Sequence, residues 1–438
     1  MKNQKLIYSI LITSVILLTA GIGLTHAGAS TRQSESPDQG VVAAPATDPL
    51  SRPFVIGDEA VDTLNPAVAY NSQWQEYLVV WWNDRAGCDD ISGQRVSKSG
   101  VLIGSGIWIA NQCPNERRYP TVAYNTQDNE YLVVWEEDES DIVGQRLSAT
   151  GGKTGGTIYI SMGVPSYPRD YEPTVAYAST ENKYLVVFQS YSPTTGYSIV
   201  AQALNSDGSD WGTGFEIESL SVSKKFYPDL AYNYMRNEFL VVWAQYNPSQ
   251  YDIRGRRVKM AGGAGTLGNA FWFSCDPSRD DFVPAVAAVP RSSSSGQYLV
   301  AWEYWSNSNN YDIWTQRVSG DGSLEGAAFM VYASTQDDIR PAVAGSNSTK
   351  QYQVSWTTPL GWPPPNPPFV GIFGRSIATD GSFLDDVTWI AGVYADNSAV
   401  VSGPAGDMLI AYEDEPTTGK EIWGILLGNR VYLPLVTK

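Results

Sequence analysis

The sequence predicts an all-β fold: a seven-bladed β-propeller of four-stranded antiparallel blades, with the ring closed by an N-terminal strand. Three observations lead to this prediction. One phrase recurs along the chain every 53 to 57 residues, each copy contains apolar runs typical of buried strands, and a lone copy of the last strand precedes the first full phrase. Because stacked repeats share their cores with neighbours, one domain can exceed the roughly 250–300 residues at which single cores stop growing.

The first two elements of each phrase predict two strands, the second of them buried on both faces. The first begins at a proline, as in Pro66-Ala-Val-Ala-Tyr70, and the second is an apolar run of five, as in Tyr77-Leu-Val-Val-Trp81. Continuous runs rich in valine and aromatics are typical of doubly buried strands. The leading position recurs at these residues: Pro120, Pro173, Pro228, Pro284, Pro341 and, in a worn seventh copy, Ser398.

The third and fourth elements complete a four-stranded unit. They read Ile91-Ser-Gly-Gln-Arg-Val96 and Ile107-Trp-Ile109 in the first copy, and turn pairs such as Asp207-Gly208 separate them in later copies. Such pairs favour tight hairpins. The lone copy, Phe54-Val-Ile56, is a fourth strand without a blade of its own. We therefore expect it to complete the last blade and tie the chain ends together.

Recurring Gln-Arg pairs in the third element favour a scaffold role. They occur as Gln94-Arg95, Gln145-Arg146 and Gln316-Arg317. An active site is used once, whereas a residue repeated around a ring is expected to tie strands or blades together.

The chain divides into four predicted segments. Residues 1–27 have the lysines, apolar run and small residues of a signal peptide, residues 28–52 form a flexible linker, 53–428 the propeller and 429–438 a C-terminal tail. An uncleaved membrane anchor is the alternative for the first segment, whose apolar run approaches the ~20 residues that span a bilayer. With the signal removed we expect no membrane span and a protein outside the cytoplasm, at the cell surface or in the periplasm.

Charge and histidine content exclude several functions. The first 27 residues hold two lysines and no acid, so their loss leaves 27 basic and 46 acidic residues and a formal charge of −19. This excludes nucleic acid as a favoured partner, and the acidity suits a soluble monomer. The one histidine, His26, lies in the signal segment. The mature chain therefore has no histidine for a Ser-His-Asp triad or a metal site.

The cysteines predict one disulfide. Cys88 falls in a loop between a second and a third strand, and Cys113 in the following loop between blades, so both belong to one face. An exported protein can form this bond. Cys275 is left over, and the spacing predicts no metal site and no cofactor, although calcium could bind among the acidic loops.

The same face is the candidate ligand-binding surface, because most acids and exposed aromatics are expected in its loops. Rings there can stack on sugars or cations, or they can instead wedge between neighbouring blades. The long loop 357–369 adds a tryptophan in a proline-rich stretch. The candidate ligand-binding residues are Trp82, Arg117, Arg118, Glu136, Tyr304, Trp305 and Trp362.

In these motifs, Pro-x-Val-Ala-Tyr, Tyr-Leu-Val-Val-Trp and Ile-x-Gly-Gln-Arg-Val, the chain resembles a broad group of exported bacterial propellers. The resemblance covers nearly the whole mature chain and implies architecture rather than activity. The leading hypothesis is a non-catalytic recognition module that binds a glycan, peptide or protein. One alternative is a carbohydrate-active enzyme that uses paired carboxylates, for which no catalytic residue is assigned. A rigid spacer or surface-coat element is the other.

Overall fold

A computed structural model describes residues 51–57, 61–161, 169–194, 196–218, 224–261, 264–274, 279–290, 295–306, 310–360, 369–392, 394–403, 406–415 and 419–428. These residues form seven sheets of four antiparallel strands. Within these ranges there is no α-helix, and hence none of the length and apolar character needed to cross a membrane. The predicted signal peptide, the C-terminal tail and all but the last two residues of the linker lie outside the described residues.

The described part of the chain contains 28 strands with these bounds: β1 Phe54–Gly57, β2 Asp62–Asn71, β3 Glu76–Asp84, β4 Asp90–Ser97, β5 Leu102–Ala110, β6 Arg117–Asn125, β7 Glu130–Glu137, β8 Asp141–Ser148, β9 Lys153–Tyr159, β10 Arg169–Ala178, β11 Lys183–Ser192, β12 Gly196–Asn205, β13 Phe215–Glu218, β14 Lys225–Asn233, β15 Glu238–Asn247, β16 Gln250–Ala261, β17 Ala264–Trp272, β18 Asp281–Val289, β19 Gln297–Trp305, β20 Tyr311–Ser319, β21 Leu324–Tyr332, β22 Ile339–Ser346, β23 Gln351–Leu360, β24 Phe369–Ala378, β25 Thr388–Ala391, β26 Asp396–Ser402, β27 Met408–Asp414 and β28 Glu421–Leu427.

The strands are grouped as the sequence predicts. Blades 1 to 6 each take four consecutive strands, from β2–β5 to β22–β25, and blade 7 joins β26, β27 and β28 to β1. The first strands of neighbouring blades contact one another, so they form the inner wall of the ring. In blade 7, β1 is antiparallel to β28, with Phe54 opposite Gly424 and Val55 opposite Trp423. The prediction of seven blades closed by an N-terminal strand is confirmed.

Hydrophobic clusters hold the ring together, and the described residues form seven of them, one between each pair of neighbouring blades. Every second strand except β23 contributes to two clusters at once. In β3, Leu78 and Val80 face blade 2, whereas Tyr77 and Val79 face blade 7, and all four are fully buried. Since successive side chains of a strand point to opposite faces, a continuous apolar run serves two interfaces.

The repeated Gln-Arg pairs tie strands together within a blade. In blade 1, the Gln94 side-chain amide donates to the backbone oxygens of Arg95 and Ile103, at 2.9 and 3.0 Å. Arg95 makes two hydrogen bonds of 2.8 Å to the carboxylate of Glu76 on β3. Blade 2 repeats the arrangement with Arg146 on β8 and a glutamate on β7. The contacts agree with the expected scaffold role.

Closure of the ring depends on a close fit between β1 and blade 1. Ile56 is 5% exposed and packs with Trp81 of blade 1 and with Leu409 and Ile422 of blade 7. At Gly57, a Cβ atom would lie 2.6 Å from the Trp81 ring, so only glycine allows the strand to approach this closely.

We expect the Ile56→Ala variant to lose about 2–4 kcal/mol of the free energy of unfolding, because it opens a cavity where the ring closes. Chemical denaturation followed by tryptophan fluorescence measures this loss. Leu102→Ala, at a residue that is 42% exposed on β5, is the matched control and should change stability by less than about 0.5 kcal/mol. Equal losses in the two variants would contradict a special role for closure.

Candidate functional site

Two kinds of loop share one face of the ring, which we call the upper face: loops between second and third strands, and loops that pass from one blade to the next. Each first strand begins there with a β-bulge, and one bulge residue has a φ between 45° and 55°. Asparagine tolerates this conformation, whereas a β-branched residue is strained in it. We call these seven residues the rim: Asn65, Tyr119, Glu172, Tyr227, Val283, Arg340 and Asn397.

Glutamates at the upper ends of the second strands link neighbouring blades through the rim. Glu136 accepts a hydrogen bond from the backbone amide of Glu172 in the next blade, at 3.2 Å. Glu303 does the same for Arg340, at 2.8 Å. Glu413 accepts from Asn65 at 2.9 Å and so links blade 7 to blade 1. This contact, which we call the rim clamp, occurs at the same place in three blades and is therefore part of the scaffold.

Burial changes the acidity of two clamp glutamates, Glu136 and Glu303. The pKa of Glu136 is raised to about 8, chiefly by desolvation and also by the negative charge of Glu172, against the opposing effect of the Glu172 amide and Arg118. Desolvation likewise raises the pKa of Glu303 and of Glu172 to about 7. A carboxyl with a pKa near 8 is largely protonated at neutral pH and can still accept a hydrogen bond through its carbonyl oxygen.

The predicted residues of blades 1 and 2 come together in a network of ion pairs. Arg118 donates to Asp89 at 2.9 Å and to Glu116 at 3.0 Å, and its guanidinium lies 5.5 Å from the centre of the Trp82 ring. Arg117 donates to Glu137 at 2.7 Å. Charged groups that satisfy one another in this way stabilise the loops and leave few hydrogen-bonding positions for a ligand.

The predicted disulfide is confirmed and reinforces the same region. Cys88 and Cys113 are bonded, with their Cα atoms 5.1 Å apart. The bond joins the upper loop of blade 1 to the loop that leads into blade 2. Cys275 lies outside the described residues, which contain no group of three metal-ligating side chains placed to hold an ion.

Aromatic rings cover the upper face of blades 3 to 5. They form a chain in which neighbouring ring centres are 4.5 to 6.4 Å apart, and every ring is part-exposed. Rings from three blades thus form one continuous patch. We call it the aromatic surface and define it by these nine described residues: Tyr191, Tyr197, Phe226, Tyr227, Tyr246, Tyr251, Phe282, Trp305 and Tyr311.

The structure separates the candidate residues into different environments. Trp305 lies in the aromatic surface, 4.8 Å from Tyr311. Tyr304 instead packs on Trp314 beside the cluster between blades 4 and 5. The expected exposure is wrong for Trp82 and Glu136, which are 5% and 4% exposed, because both lie inside strands that continue past the apolar run. Trp362 lies outside the described residues.

Several residues of the upper face escaped the sequence analysis. Tyr197, Phe226, Tyr227 and Phe282 belong to the aromatic surface, and Glu172 belongs to the rim. Phe226 and Tyr227 precede Pro228, and blade 4 is the one copy with aromatics at both of these positions; Tyr119, Tyr171 and Phe282 occupy one of them in other blades. Comparison of the seven copies position by position would have marked this pair.

Comparisons with known proteins support the architecture. No family model and no curated protein sequence matches the chain. Among solved structures, it is similar to a protein of unknown function from Dyadobacter fermentans, with 10% identity and a TM-score of 0.50 over 86% of this chain and 98% of that one. It is also similar to the α-L-arabinofuranosidase Arb93A from Fusarium graminearum, with 13% identity and a TM-score of 0.46 over 85% and 96%. The α-L-arabinanase of Penicillium chrysogenum follows, with 12% identity and a TM-score of 0.45 over 86% and 99%. At these identities, the likeness concerns the fold alone.

The raised pKa of Glu136 predicts a pH-dependent stability. A carboxyl whose pKa is higher in the folded chain binds more protons there than in the unfolded chain, so its contribution falls as pH rises from about 4.5 towards about 8. Glu136→Gln keeps the acceptor and removes the charge. We expect the variant to match the wild type at pH 4.5 and to exceed its stability by on the order of 2 kcal/mol at pH 8.

Urea denaturation at both pH values measures this difference. Glu139→Gln removes a carboxylate with a side chain that is 40% exposed on the same face; its charge is the smallest of the effects on the pKa of Glu136, so it should change the pH dependence far less than Glu136→Gln does. A wild type and a Glu136→Gln variant with parallel pH profiles would contradict the assigned burial.

Loss of the disulfide should destabilise blades 1 and 2. The bond closes a loop of 25 residues, so Cys88→Ser is expected to lower the free energy of unfolding by about 3 kcal/mol. Denaturation with and without a reductant checks the value, since reductant should affect the wild type and not the variant. Cys275→Ser is the control and should still respond to reductant.

Proposed function

We propose that the protein is an exported, non-catalytic recognition propeller that binds a glycan across the aromatic surface. The observation that carries the proposal is the continuity of nine part-exposed rings over three blades. Aromatic side chains offer rigid apolar faces for the apolar faces of sugar rings, and tyrosine hydroxyls offer hydrogen bonds to sugar hydroxyls. A surface that spans three blades suits several linked sugars better than one.

The charge around the aromatic surface supports a ligand without negative charge. The backbone amide of Tyr251 donates to Asp280 at 2.8 Å, and that of Tyr311 donates to Asp337 at 3.0 Å, so carboxylates lie beside the rings. The chain as a whole has a formal charge of −17. Like charges repel, and nucleic acids or strongly acidic polysaccharides are therefore poor ligands for this face.

A location outside the cytoplasm is consistent with the disulfide. Disulfides persist in oxidising compartments, and the one between Cys88 and Cys113 joins loops of the upper face. Together with the predicted signal peptide, it supports export to the cell surface or the periplasm, where glycans are abundant ligands. We propose that the protein acts there as a monomer.

A carbohydrate-active enzyme is the second candidate, and the rim carboxyls favour it. Glu136 and Glu172 belong to adjacent blades, and burial raises the pKa of both, to about 8 and about 7. A carboxyl that keeps its proton at neutral pH can act as a general acid in glycoside hydrolysis. The rim clamp argues for the first candidate, because Glu136 makes the same contact that Glu303 and Glu413 make in other blades.

Glycan-array binding and isothermal titration test the proposal. We expect the full mature chain to bind neutral or cationic oligosaccharides, and Tyr251→Ala and Trp305→Ala each to weaken binding about tenfold, a loss of ~1.4 kcal/mol. Tyr159→Ala, at a ring that is 56% exposed on the outer strand of blade 2, is the control and should bind like the wild type.

The same preparations separate the two candidates. Release of reducing ends from a polysaccharide panel, abolished by Glu172→Gln and unaffected by Tyr159→Ala, would establish the enzyme. Binding without release supports recognition, and absence of both binding and release contradicts both candidates.

A further inference from the structure

The repeated arginine of the third strands joins one blade to the next. Arg146 of blade 2 donates to the backbone oxygen of Asp207, in the hairpin between β12 and β13 of blade 3, at 2.9 Å. Arg317 of blade 5 donates in the same way to Thr379, in the hairpin between β24 and β25 of blade 6, at 3.1 Å. Four blades have the arginine, each time opposite a leucine of the second strand: Arg95, Arg146, Arg257 and Arg317.

The interface between blades 6 and 7 lacks both the arginine and the hairpin. Because the ring is closed by β1, the third and fourth strands of blade 7 are not consecutive in the chain and share no hairpin. In blade 6, Ser376 takes the position of the arginine and lies opposite Gln353. The neighbouring Arg375 serves the other side of the blade, where it donates to the backbone oxygen of Val331 in blade 5, at 3.0 Å.

A pocket of about 30 Å³ opens at this place, and we call it the closure pocket. Its polar lining comes from blade 6, and blade 7 adds Met408 and Gly428. Gln351, Asp385 and Gly428 are part-exposed, so the pocket is open to solvent. Its size admits a head group of a few atoms and excludes a sugar ring. The polar residues that carry the argument are Gln351, Gln353, Ser376 and Asp385.

The two other blades without the arginine fill the equivalent place with their own side chains. In blade 3, Lys183 donates to Asn205 at 2.8 Å and lies 5.3 Å from the centre of the Trp211 ring. In blade 7, Leu426 packs against the hairpin of blade 1, where a Cβ atom at Gly100 would lie 3.3 Å from it. Loss of the arginine therefore does not by itself explain a polar pocket.

The closure pocket is rich in hydrogen-bond acceptors. The Ser376 hydroxyl lies 2.9 Å from Gln353 Oε1 and 2.8 Å from Asp385 Oδ2, although it can donate only one hydrogen. Gln353 is 5% exposed, and its Nε2 donates to the backbone oxygen of Val354 at 3.1 Å, which keeps Oε1 directed at Ser376. Each carboxylate oxygen of Asp385 can accept a second donor. Among the described residues that line the pocket, none is basic.

We propose that the closure pocket binds a guanidinium group carried by an arginine side chain. Gln351 and Ser376 occupy the positions of the Glu76–Arg95 pair of blade 1, so this place between blades accommodates a guanidinium elsewhere in the ring. The five donors and the positive charge of a guanidinium match the acceptors and the charge of Asp385. The inference does not depend on glycan binding.

Two sources can supply the arginine. One is a ligand outside the chain. The other is Arg430, which follows Gly428 by two positions in the sequence and lies outside the described residues. The chemistry recognised by the pocket is the same in both cases, and the experiment separates them.

Three small probes with blocked ends provide the test: the N-acetyl methylamides of arginine, citrulline and lysine. Citrulline has the shape of arginine without its charge, and lysine has the charge without the planar donors. Ligand-observed NMR titration at pH 7 measures their affinities for the full mature chain and for its Arg430→Ala variant. We expect one or both proteins to bind the arginine probe about tenfold more tightly than the other two. Binding to the wild type identifies an external source, and binding to Arg430→Ala alone identifies Arg430.

Variants of the pocket show where the probe binds. Asp385→Asn keeps the acceptor of Ser376 and removes the charge, so it should bring the arginine and citrulline affinities within about twofold. Asp386→Asn makes the same change at the exposed neighbouring residue, which does not line the pocket, and should keep the full preference. The double variant Gln351→Glu/Ser376→Arg builds the pair of blade 1 into the pocket and should abolish binding. Each variant is made in the protein that binds the probe, and circular dichroism shows whether it is folded.

Two results would overturn the inference. The first is the absence of a preference for the arginine probe in both the wild type and Arg430→Ala. The second is a preference that persists in folded Asp385→Asn or in the folded double variant, since the probe would then bind elsewhere. Neither result affects the glycan-binding proposal, which is tested with variants of the aromatic surface.

Discussion

A strand whose two faces are both apolar must have a blade on either side, and this constraint determines the architecture. The second strands of six blades meet it, as Tyr77 and Leu78 illustrate by facing different neighbours, whereas β23 is apolar on one face only. An open row of such blades would leave one apolar face exposed at each end. The pairing of β1 with β28 removes those ends, because it completes blade 7 and lets Ile56 fill the last interface. Blade 7, whose sequence departs most from the repeat, is thus completed by β1, the strand farthest from it in the sequence.

The fold could be predicted from the sequence because each of its determinants is local and repeated. Apolar runs, turn pairs and leading prolines recur in register. A strand that is unclear in one copy of the repeat can therefore be identified from the other copies. The site depends on positions where strands from different blades meet. Trp82 follows an apolar run directly and resembles a loop residue, yet β3 continues to Asp84 and buries it. Phe226 and Tyr251 are 25 positions apart, and only the placement of β14 and β16 on either side of β15 brings their rings to 6.0 Å.

Repetition distinguishes scaffold from candidate function in this molecule. Arg95 with Glu76 and Arg146 with Glu130 make the same contact in different blades, as do the glutamates of the rim clamp. Each copy serves as a control for the others, since a contact that recurs in several blades needs no ligand to explain it. The aromatic surface of blades 3 to 5 is not a contact of this repeated kind. A feature confined to part of the ring is the stronger indication of function.

The upper face is also chemically asymmetric, and the asymmetry indicates where a ligand can gain free energy. In blades 1 and 2, Arg117 and Arg118 already bind carboxylates, and in blades 6 and 7 Arg340 pairs with Asp396 and Lys420 with Glu413. A ligand that displaced these pairs would lose one charged contact for each one it formed. In blades 3 and 4 Arg254 pairs with Glu218, but the rings of the aromatic surface carry no charge, and an aromatic face that is part-exposed to water loses only water when a sugar covers it. Binding free energy is therefore available on the aromatic half of the ring, while the paired charges of the other half hold the loops in place.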